Sequence, residues 1–476
     1  MKLSILLEGT VNEDISEMDI NNVCYDPQNC GNGDLLFLLN DRAKNKYITH
    51  PKEVAAIVTE SPLTCNSGAR MYTTSNIRAA LSIACARMYC KDLSKIKFIG
   101  ITGTNGKSTT AIMLENILAD FGYKVGYIGT GIIRAEGKIL SDKYYSMTTP
   151  PPDILYRAIS NMEVMGVEMV VMEVSSHALD QERVAPISFE IGIFTNLSEE
   201  HLDYHKSITE YFKAKKRLIE KSKYAIVNSD DPYCRLILTE YENIEGCGKD
   251  FYQATRISDI KSIGFSGNKF HYRSDINDSD ISIRLPGDYN VYNAMLAIRA
   301  AEKLGIPMEN IKDSLKKIEK IKGRFNIINE KITVVIDYAH TISAFANLIK
   351  NLYSTKNIGQ NLCVVFGCGG ERDKGKRGRM GEIAEEYADQ VILTSDNPRG
   401  EDPSAIIADI MKSMKKKPTI IVDRRSAIRH AILSANDGDI VAIIGKGPEC
   451  YSILNGVYSP FNESEIIREA LEERSK

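Results

Sequence analysis

The stretch Lys97-Phe98-Ile99-Gly100-Ile101-Thr102-Gly103-Thr104-Asn105-Gly106-Lys107-Ser108-Thr109 decides the fold. Its first six residues are a short apolar run, the pattern of a buried strand, and an amphipathic stretch from Lys107 to Phe121 follows. The segment therefore reads strand, glycine turn, helix. Glycines in such a turn let backbone N–H groups close around phosphate oxygens, the lysine reaches the outer phosphates, and the next hydroxyl can hold Mg²⁺ at the helix N-terminus. Gly103, Thr104, Asn105, Gly106, Lys107, Ser108 and Thr109 are thus expected to bind ATP. The general phosphate-loop pattern wants a glycine where this chain has Ile101, so the motif is met in all but one feature.

Working outward, short β-rich runs alternate with helical patterns. Val125 to Thr130, Met169 to Ser175, Ile191 to Asn196 and Tyr224 to Asp231 are strand candidates, as a parallel sheet requires. A second series begins after Lys322-Gly323-Arg324, with Thr333 to His340, Leu362 to Cys368, Val391 to Asn397, Thr419 to Asp423 and Asp439 to Gly447. The first 95 residues differ: short strands, several turn signals and a helical stretch from Ser75 to Tyr89. The expected fold is α/β in three domains. These are a small N-terminal α/β domain (1–95), a central P-loop ATPase-like parallel-sheet domain (96–323) and a C-terminal Rossmann-like domain (324–476).

The charge balance, 60 Lys+Arg against 63 Asp+Glu for a net −3, excludes a dedicated nucleic-acid binder, whose affinity would come from phosphate neutralisation. Phosphate must be held locally. The ten scattered cysteines, without a CxxC pair, read as reduced thiols, and the run Leu3 to Leu7 is too short for a signal peptide. Without any stretch of about 20 apolar residues, the expectation is a cytoplasmic protein with no membrane span.

Ligands for Mg²⁺ are expected at the carboxyl ends of later strands, where an open α/β sheet binds its ligand. Glu173 ends one such run and His201 follows another. A carboxylate and an imidazole there suit the metal and its phosphates.

At this point the residues resemble the Mur ligases, and within them the MurE type that adds the third amino acid to UDP-N-acetylmuramoyl-dipeptide. The segments that carry the resemblance run in order: GITGTNGKST (100–109), TTP (148–150), MEVSSHALDQERV (172–184), FTNLSEEHLDYH (194–205), YFKAKKRL (211–218) and LPGDYNVYNAMLA (285–297). They continue with GRF (323–325), VIDYAHT (335–341), FGCGGERDKGKR (366–377), TSDNPRGEDP (394–403) and GKGPECY (445–451).

The resemblance implies an ATP-dependent amide ligase acting through an acyl phosphate in peptidoglycan precursor synthesis, and hence in cell-wall biogenesis, cell shape and division. It implies Lys107, Glu173, His201 and Lys215 as catalytic residues, with magnesium on Ser108, Glu173, His201 and a carbamylated Lys215. It implies Asn293, Arg324, Asp337 and His340 around ATP. It maps the UDP-substrate onto Thr148, Thr149, Ser175, Gln181 and Arg183, with the N-terminal domain recognising the nucleotide. The incoming amino acid falls to Arg372, Asp396, Asn397, Arg399, Gly445 and Glu449. Because Arg399 can pair with a distal carboxylate that lysine lacks, meso-diaminopimelate is the expected amino acid and L-lysine the alternative. The chain is expected to act as a monomer.

Two departures stand out. Where the family carries Asp-Ser-Arg after a short strand, this chain has Tyr25-Asp26-Pro27-Gln28-Asn29 in a shortened N-terminal domain, so a paralogous ligase with another acceptor is a second reading. Pro448 stands where the family generally has histidine, which stiffens the loop before Glu449. An isolated reading of Lys215 makes it an ordinary lysine on the surface of a lysine-rich helix.

Overall fold

The computed structural model describes residues 1–50, 52–62, 68–141, 147–250 and 254–475. Internal packing divides the chain into two compact units. One comprises Met1–Thr102, Phe121–Phe194 and Lys213–Ala225, and the other Gly103–Asp120, Thr195–Phe212 and Ile226–Lys476.

The first unit opens with a parallel four-stranded sheet, β1 (Val23–Cys24), β2 (Leu35–Phe37), β3 (Ala56–Thr59) and β4 (Arg70–Thr73), paired in that order. The helix Ile77–Tyr89 follows, started by Asn76, whose side chain accepts from the Ala79 amide. A second group of strands, β5 (Lys97–Thr102), β6 (Val125–Gly129), β7 (Ile132–Ala135), β8 (Lys138–Ser141), β9 (Met169–Glu173) and β10 (Phe189–Phe194), lies in the order β10-β5-β9-β6-β7-β8. β5, β6, β9 and β10 pair in parallel, and β7 and β8 extend the edge as antiparallel strands. β5 is buried from Phe98 onward, as a strand covered on both faces must be. β11 (Ser222–Asn228) carries the chain on into the second unit.

One expectation is corrected here. Cys24 and Cys30 form a disulfide, with Cα atoms 5.9 Å apart. The 3₁₀ turn Pro27–Asn29, capped by the Asp26 carboxylate on the Gln28 amide, folds the six-residue separation back on itself. Cys85, Cys90, Cys234, Cys247, Cys363, Cys368 and Cys450 are free thiols, and Cys65 lies outside the described residues.

The second unit holds the helix Lys107–Asp120, which packs on the helix Asp288–Lys303. It also holds β12 (Ile244–Gly248), β13 (Thr255–Ser262), β14 (Asn268–Arg273) and β15 (Asp278–Ile283); β13, β14 and β15 form an antiparallel meander. Its largest sheet runs β16-β17-β21-β18-β19-β20, where β16 is Asn326–Asn329, β17 Thr333–Asp337, β18 Leu362–Phe366, β19 Gln390–Leu393, β20 Thr419–Ile420 and β21 Ile440–Ile444. All pairs in it are parallel except β16 with β17.

Alternate residues of this sheet enter two cores. Val335, Val364, Phe366 and Ala442 face one helix layer, while Val334, Ile336, Val365 and Val441 face the other. That is the doubly wound arrangement expected from the sequence. Its strands end earlier than their apolar runs suggest. β17 stops at Asp337, whose carboxylate turns the chain by accepting from the Ala339 amide at 2.7 Å. Lys415, Lys416 and Lys417 are exposed and lie beyond the helix Pro403–Met411.

Candidate active site

In the second unit, the turn Gly103–Gly106 leads into the helix that starts at Lys107, so the first-turn amides of that helix open on the turn. Two glycines are required by geometry. Gly103 (φ +146) and Gly106 (φ +84) adopt conformations L-residues avoid, and a Cβ on either would collide with Thr195 Oγ1 or Asn293 Oδ1 respectively. The loop is held from below by its neighbours. Thr104 N donates to Asn196 O (2.8 Å), Asn105 N to Asn196 Oδ1 (3.0 Å), and Thr195 Oγ1 to Asn105 O (2.5 Å). Lys107 Nζ folds back to donate to the carbonyls of Gly103 and Thr104, both at 2.8 Å.

A cavity of about 820 Å³ lies alongside. Asn105, Gly106 and Thr109 line it, together with Asn293, Arg324, Asp337 and His340. The residues expected to surround ATP from distant parts of the sequence therefore face one space. Neither Asn290 nor Asn293 caps its helix. Asn293 donates to Asn290 Oδ1 (3.0 Å) and accepts from Thr110 Oγ1 (3.4 Å), while Asn290 Nδ2 bonds Pro286 O (2.7 Å). Arg324 Nη2 donates to Ser108 Oγ at 3.0 Å. Asp337 accepts from the Phe325 amide (2.6 Å) and the Ala339 amide; burial raises its pKa, against the pull of Arg324.

His201 sits at φ +56, a left-handed conformation that costs a non-glycine residue about 1–2 kcal/mol. Between it and His340 lies Glu200, which sequence reasoning passed over. His340 Nε2 is 2.9 Å from Glu200 Oε1, and His201 Nε2 is 3.8 Å from Oε2. Burial works to raise the Glu200 pKa, but the charges of His340 and His201 and the hydrogen bond from His340 hold it well below the usual carboxylate range. An ion pair 140 residues apart in sequence leaves no local pattern to read.

The residues expected to meet the incoming amino acid also converge within this unit. A Cβ on Gly369 would lie 3.0 Å from Arg399 Nη1 and 3.7 Å from Arg372 Cγ, so both cations flank one glycine. Arg399, at φ +52, donates to Gly370 O at 2.8 Å. Asn397 Nδ2 donates to Glu449 Oε2 (2.8 Å) and its Oδ1 accepts from Lys446 Nζ (2.7 Å). Asp396 Oδ2 is buried and has no hydrogen-bond partner among the described residues; a Cβ on Gly445 would come within 2.7 Å of it. Burial, then the Asp396 charge, raises the pKa of Glu449, and burial lowers that of Lys446. Lys446 and the buried pair Arg424–Glu463 (2.6 Å) are further residues the sequence did not single out.

The first unit holds a separate group. Arg183 Nη1 donates to Thr149 O (2.6 Å), and its Nε and Nη2 share Gln181 Oε1 at 3.2 and 2.8 Å. Ser175 N donates to Thr149 Oγ1 (3.0 Å), and Thr148 Oγ1 lies 3.3 Å from Thr130 Oγ1. Glu173 is fully buried, accepting from Tyr127 Oη (2.8 Å) and Thr130 N (3.1 Å). Lys215 is 2% exposed, so it is not the surface lysine of the isolated reading. Among the described residues, no group of three or more His, Cys, Asp or Glu is arranged to hold a metal.

A phosphate-loop helix, an adjoining cavity and a doubly wound sheet bearing convergent cations define an ATP-using ligase architecture of the Mur type. Residues 101–301 match the Mur ligase middle domain and residues 323–447 the Mur ligase glutamate ligase domain. The chain belongs to the Mur ligase family. It is 37% identical to the UDP-N-acetylmuramoyl-L-alanyl-D-glutamate–2,6-diaminopimelate ligase of Caldanaerobacter subterraneus subsp. tengcongensis, with 100% of both chains covered. It is 38% identical to the ligase of the same name from Clostridium tetani, over 96% of each. A solved structure of a UDP-N-acetylmuramoyl-L-alanyl-D-glutamate–2,6-diaminopimelate ligase superposes with a TM-score of 0.70 at 26% identity, covering 100% of this chain and 99% of that one.

Proposed function

We propose that this chain is an ATP-dependent ligase that joins meso-2,6-diaminopimelate to the D-glutamyl carboxylate of UDP-N-acetylmuramoyl-L-alanyl-D-glutamate, in the cytoplasm. The observation that carries the reading is the Asp396–Arg399 loop. It carries a buried carboxylate oxygen with no partner among the described residues and, three residues on, a guanidinium beside Arg372. That suits an amino acid with an ammonium and a carboxylate at its far end. Opposite lysine, Arg399 would lose its carboxylate partner.

The acceptor carboxylate attacks the γ-phosphorus of ATP, ADP leaves, and the amine of the incoming amino acid displaces phosphate from the acyl phosphate to form the amide. Two anions must meet in the first step, so cations near the transferred phosphoryl group lower the barrier. Lys107 and Arg324 supply that charge, Asn293, Asp337 and His340 orient the nucleotide, and Arg183 with Thr148, Thr149, Ser175 and Gln181 holds the acceptor. Ser108, Glu173, His201 and a carbamylated Lys215 would hold magnesium; hydroxyl, carboxylate, imidazole and carbamate are donors that a hard cation accepts. Bound there, magnesium would neutralise charge on the phosphates. The domains are read as 1–95 for the UDP moiety, 96–323 for ATP and 324–476 for the amino acid.

A second reading, a family ligase with another acceptor, is favoured by one observation: the Cys24–Cys30 disulfide closes around Pro27, where the family's serine would stand. The test is ADP release by the pure protein with ATP, Mg²⁺ and meso-diaminopimelate, with and without the UDP-dipeptide. Acceptor-dependent release and a tripeptide product are expected. Release without dependence on the UDP-dipeptide sinks the acceptor, and turnover of lysine in preference to diaminopimelate sinks the role of Arg399.

A further inference from the structure

We infer that Tyr338 is a positioning residue that ties the nucleotide side of the site to the amino-acid side, holding Glu449 through its hydroxyl and Arg324 through its ring. This rests on the proposed function. Tyr338 Oη donates to Glu449 Oε1 at 3.2 Å. Arg324 Cζ lies 4.6 Å from the centroid of the same ring, within cation–π range, and Arg324 Nη2 donates to Ser108 Oγ at 3.0 Å. The side chains thus run without a break from the phosphate-loop serine, through Arg324 and Tyr338, to Glu449. Glu449 then continues through Asn397 to Lys446.

Local structure fixes where the ring points. Tyr338 follows β17 directly, between Asp337, whose carboxylate spans the Phe325 and Ala339 amides, and His340, whose Nδ1 is 2.9 Å from the Tyr338 carbonyl. Gly447 packs against the base of the side chain, where a Cβ would come within 2.6 Å of Tyr338 Cβ. A ring confined in this way gives Arg324 a flat seat and leaves one direction for the hydroxyl. Phenylalanine would keep the seat and lose the hydroxyl; leucine would lose both.

The two functions are therefore separable by substitution. Tyr338→Phe is expected to raise KM for meso-diaminopimelate about tenfold while leaving KM for ATP within about twofold of wild type, the loss of one hydrogen bond to a charged group. Tyr338→Leu is expected to raise both. Isothermal titration of meso-diaminopimelate into the nucleotide-free protein should show the same tenfold loss of affinity for Tyr338→Phe, with the thermal transition unmoved. An unchanged KM for the amino acid in Tyr338→Phe, or an equal rise in both constants, overturns the inference. If wild type joins lysine and not diaminopimelate, the proposed substrate falls, and the same pair of constants measured with lysine still decides the role of Tyr338.

Discussion

The proposed amino-acid pocket and the Cys24–Cys30 segment hold their shapes by opposite means. In the pocket, Arg377, buried to 1% exposure, clamps Glu401 (3.0 Å) and Asp409 (2.9 Å), Arg424 clamps Glu463, and Lys446 clamps Asn397. These partners lie 24 to 49 residues apart. The N-terminal segment is fastened by a six-residue disulfide, by Asp26 on its own turn and on Lys46 (2.8 Å), and by Lys52 Nζ on Gln28 O (2.8 Å). The region that keeps its family motif is braced by buried cations on partners distant in the chain. The segment that departs from the motif is stapled locally, and a local staple can be altered without disturbing the sheet beside it.

Breaking the pocket should therefore give the largest effect on substrate choice. Arg399→Ala removes one charged donor and leaves the braces in place, so it should raise KM for meso-diaminopimelate about 10- to 100-fold, the equivalent of about 1.5–3 kcal/mol. The preference over lysine should shrink by the same factor, measured as the ratio of kcat/KM for the two amino acids. A preference that survives Arg399→Ala would place selectivity elsewhere in the pocket.

The staple should matter less and act on stability. Closing a loop of this length constrains the unfolded chain by about 2 kcal/mol in the chain-entropy view. Replacing Cys24 and Cys30 by serine, or adding reductant to wild type, should lower the earliest thermal transition by a few degrees while leaving KM for diaminopimelate unchanged. A shift confined to the variant, with reductant inert, would show that the pair is already reduced in solution and that Lys46 and Lys52 carry the segment alone.

How much of this could be read from residues differs between the two regions for a physical reason. The phosphate loop was legible because the turn, the helix start and the lysine sit within one run, Thr102 to Thr109, and each residue type has a local job. β5 through its carboxyl end and the Rossmann-like sheet were legible likewise. The antiparallel strands β7 and β8, and the β13–β15 meander, were not named, because their half-exposed alternation is weaker than the solid apolar runs of the parallel strands. Glu200 against His340, Tyr338 beneath Arg324 and Arg424 against Glu463 were invisible, since nothing in a sequence marks which distant charge a side chain will meet. The disulfide was missed because its spacing matches no redox or metal motif and the turn that brings its ends together is only three residues long.

The smallest expected effect tests whether the pocket's bracing is electrostatic. Glu401 accepts from Arg377 Nη1 and Nη2 (3.0 and 3.1 Å) and from the Glu371 amide (2.5 Å). The Arg377 hydrogen bonds, then the Glu371 amide, hold its carboxyl down at about 2 against an ordinary value of 4.5. A carboxylate whose pKa is depressed on folding stabilises the native state above its unfolded pKa, and that contribution drains away as pH falls from about 4.5 toward 2. Glu401→Gln keeps the shape and removes the charge, so it should cost about 1–2 kcal/mol at neutral pH and progressively less below pH 4.5. Denaturant midpoints of the two proteins, measured at pH 7, 5, 4 and 3, should converge as acid is added. Parallel midpoints across that range would mean that Arg377 braces the pocket by packing and not by charge, and the contrast with the stapled segment would narrow to one of distance along the chain.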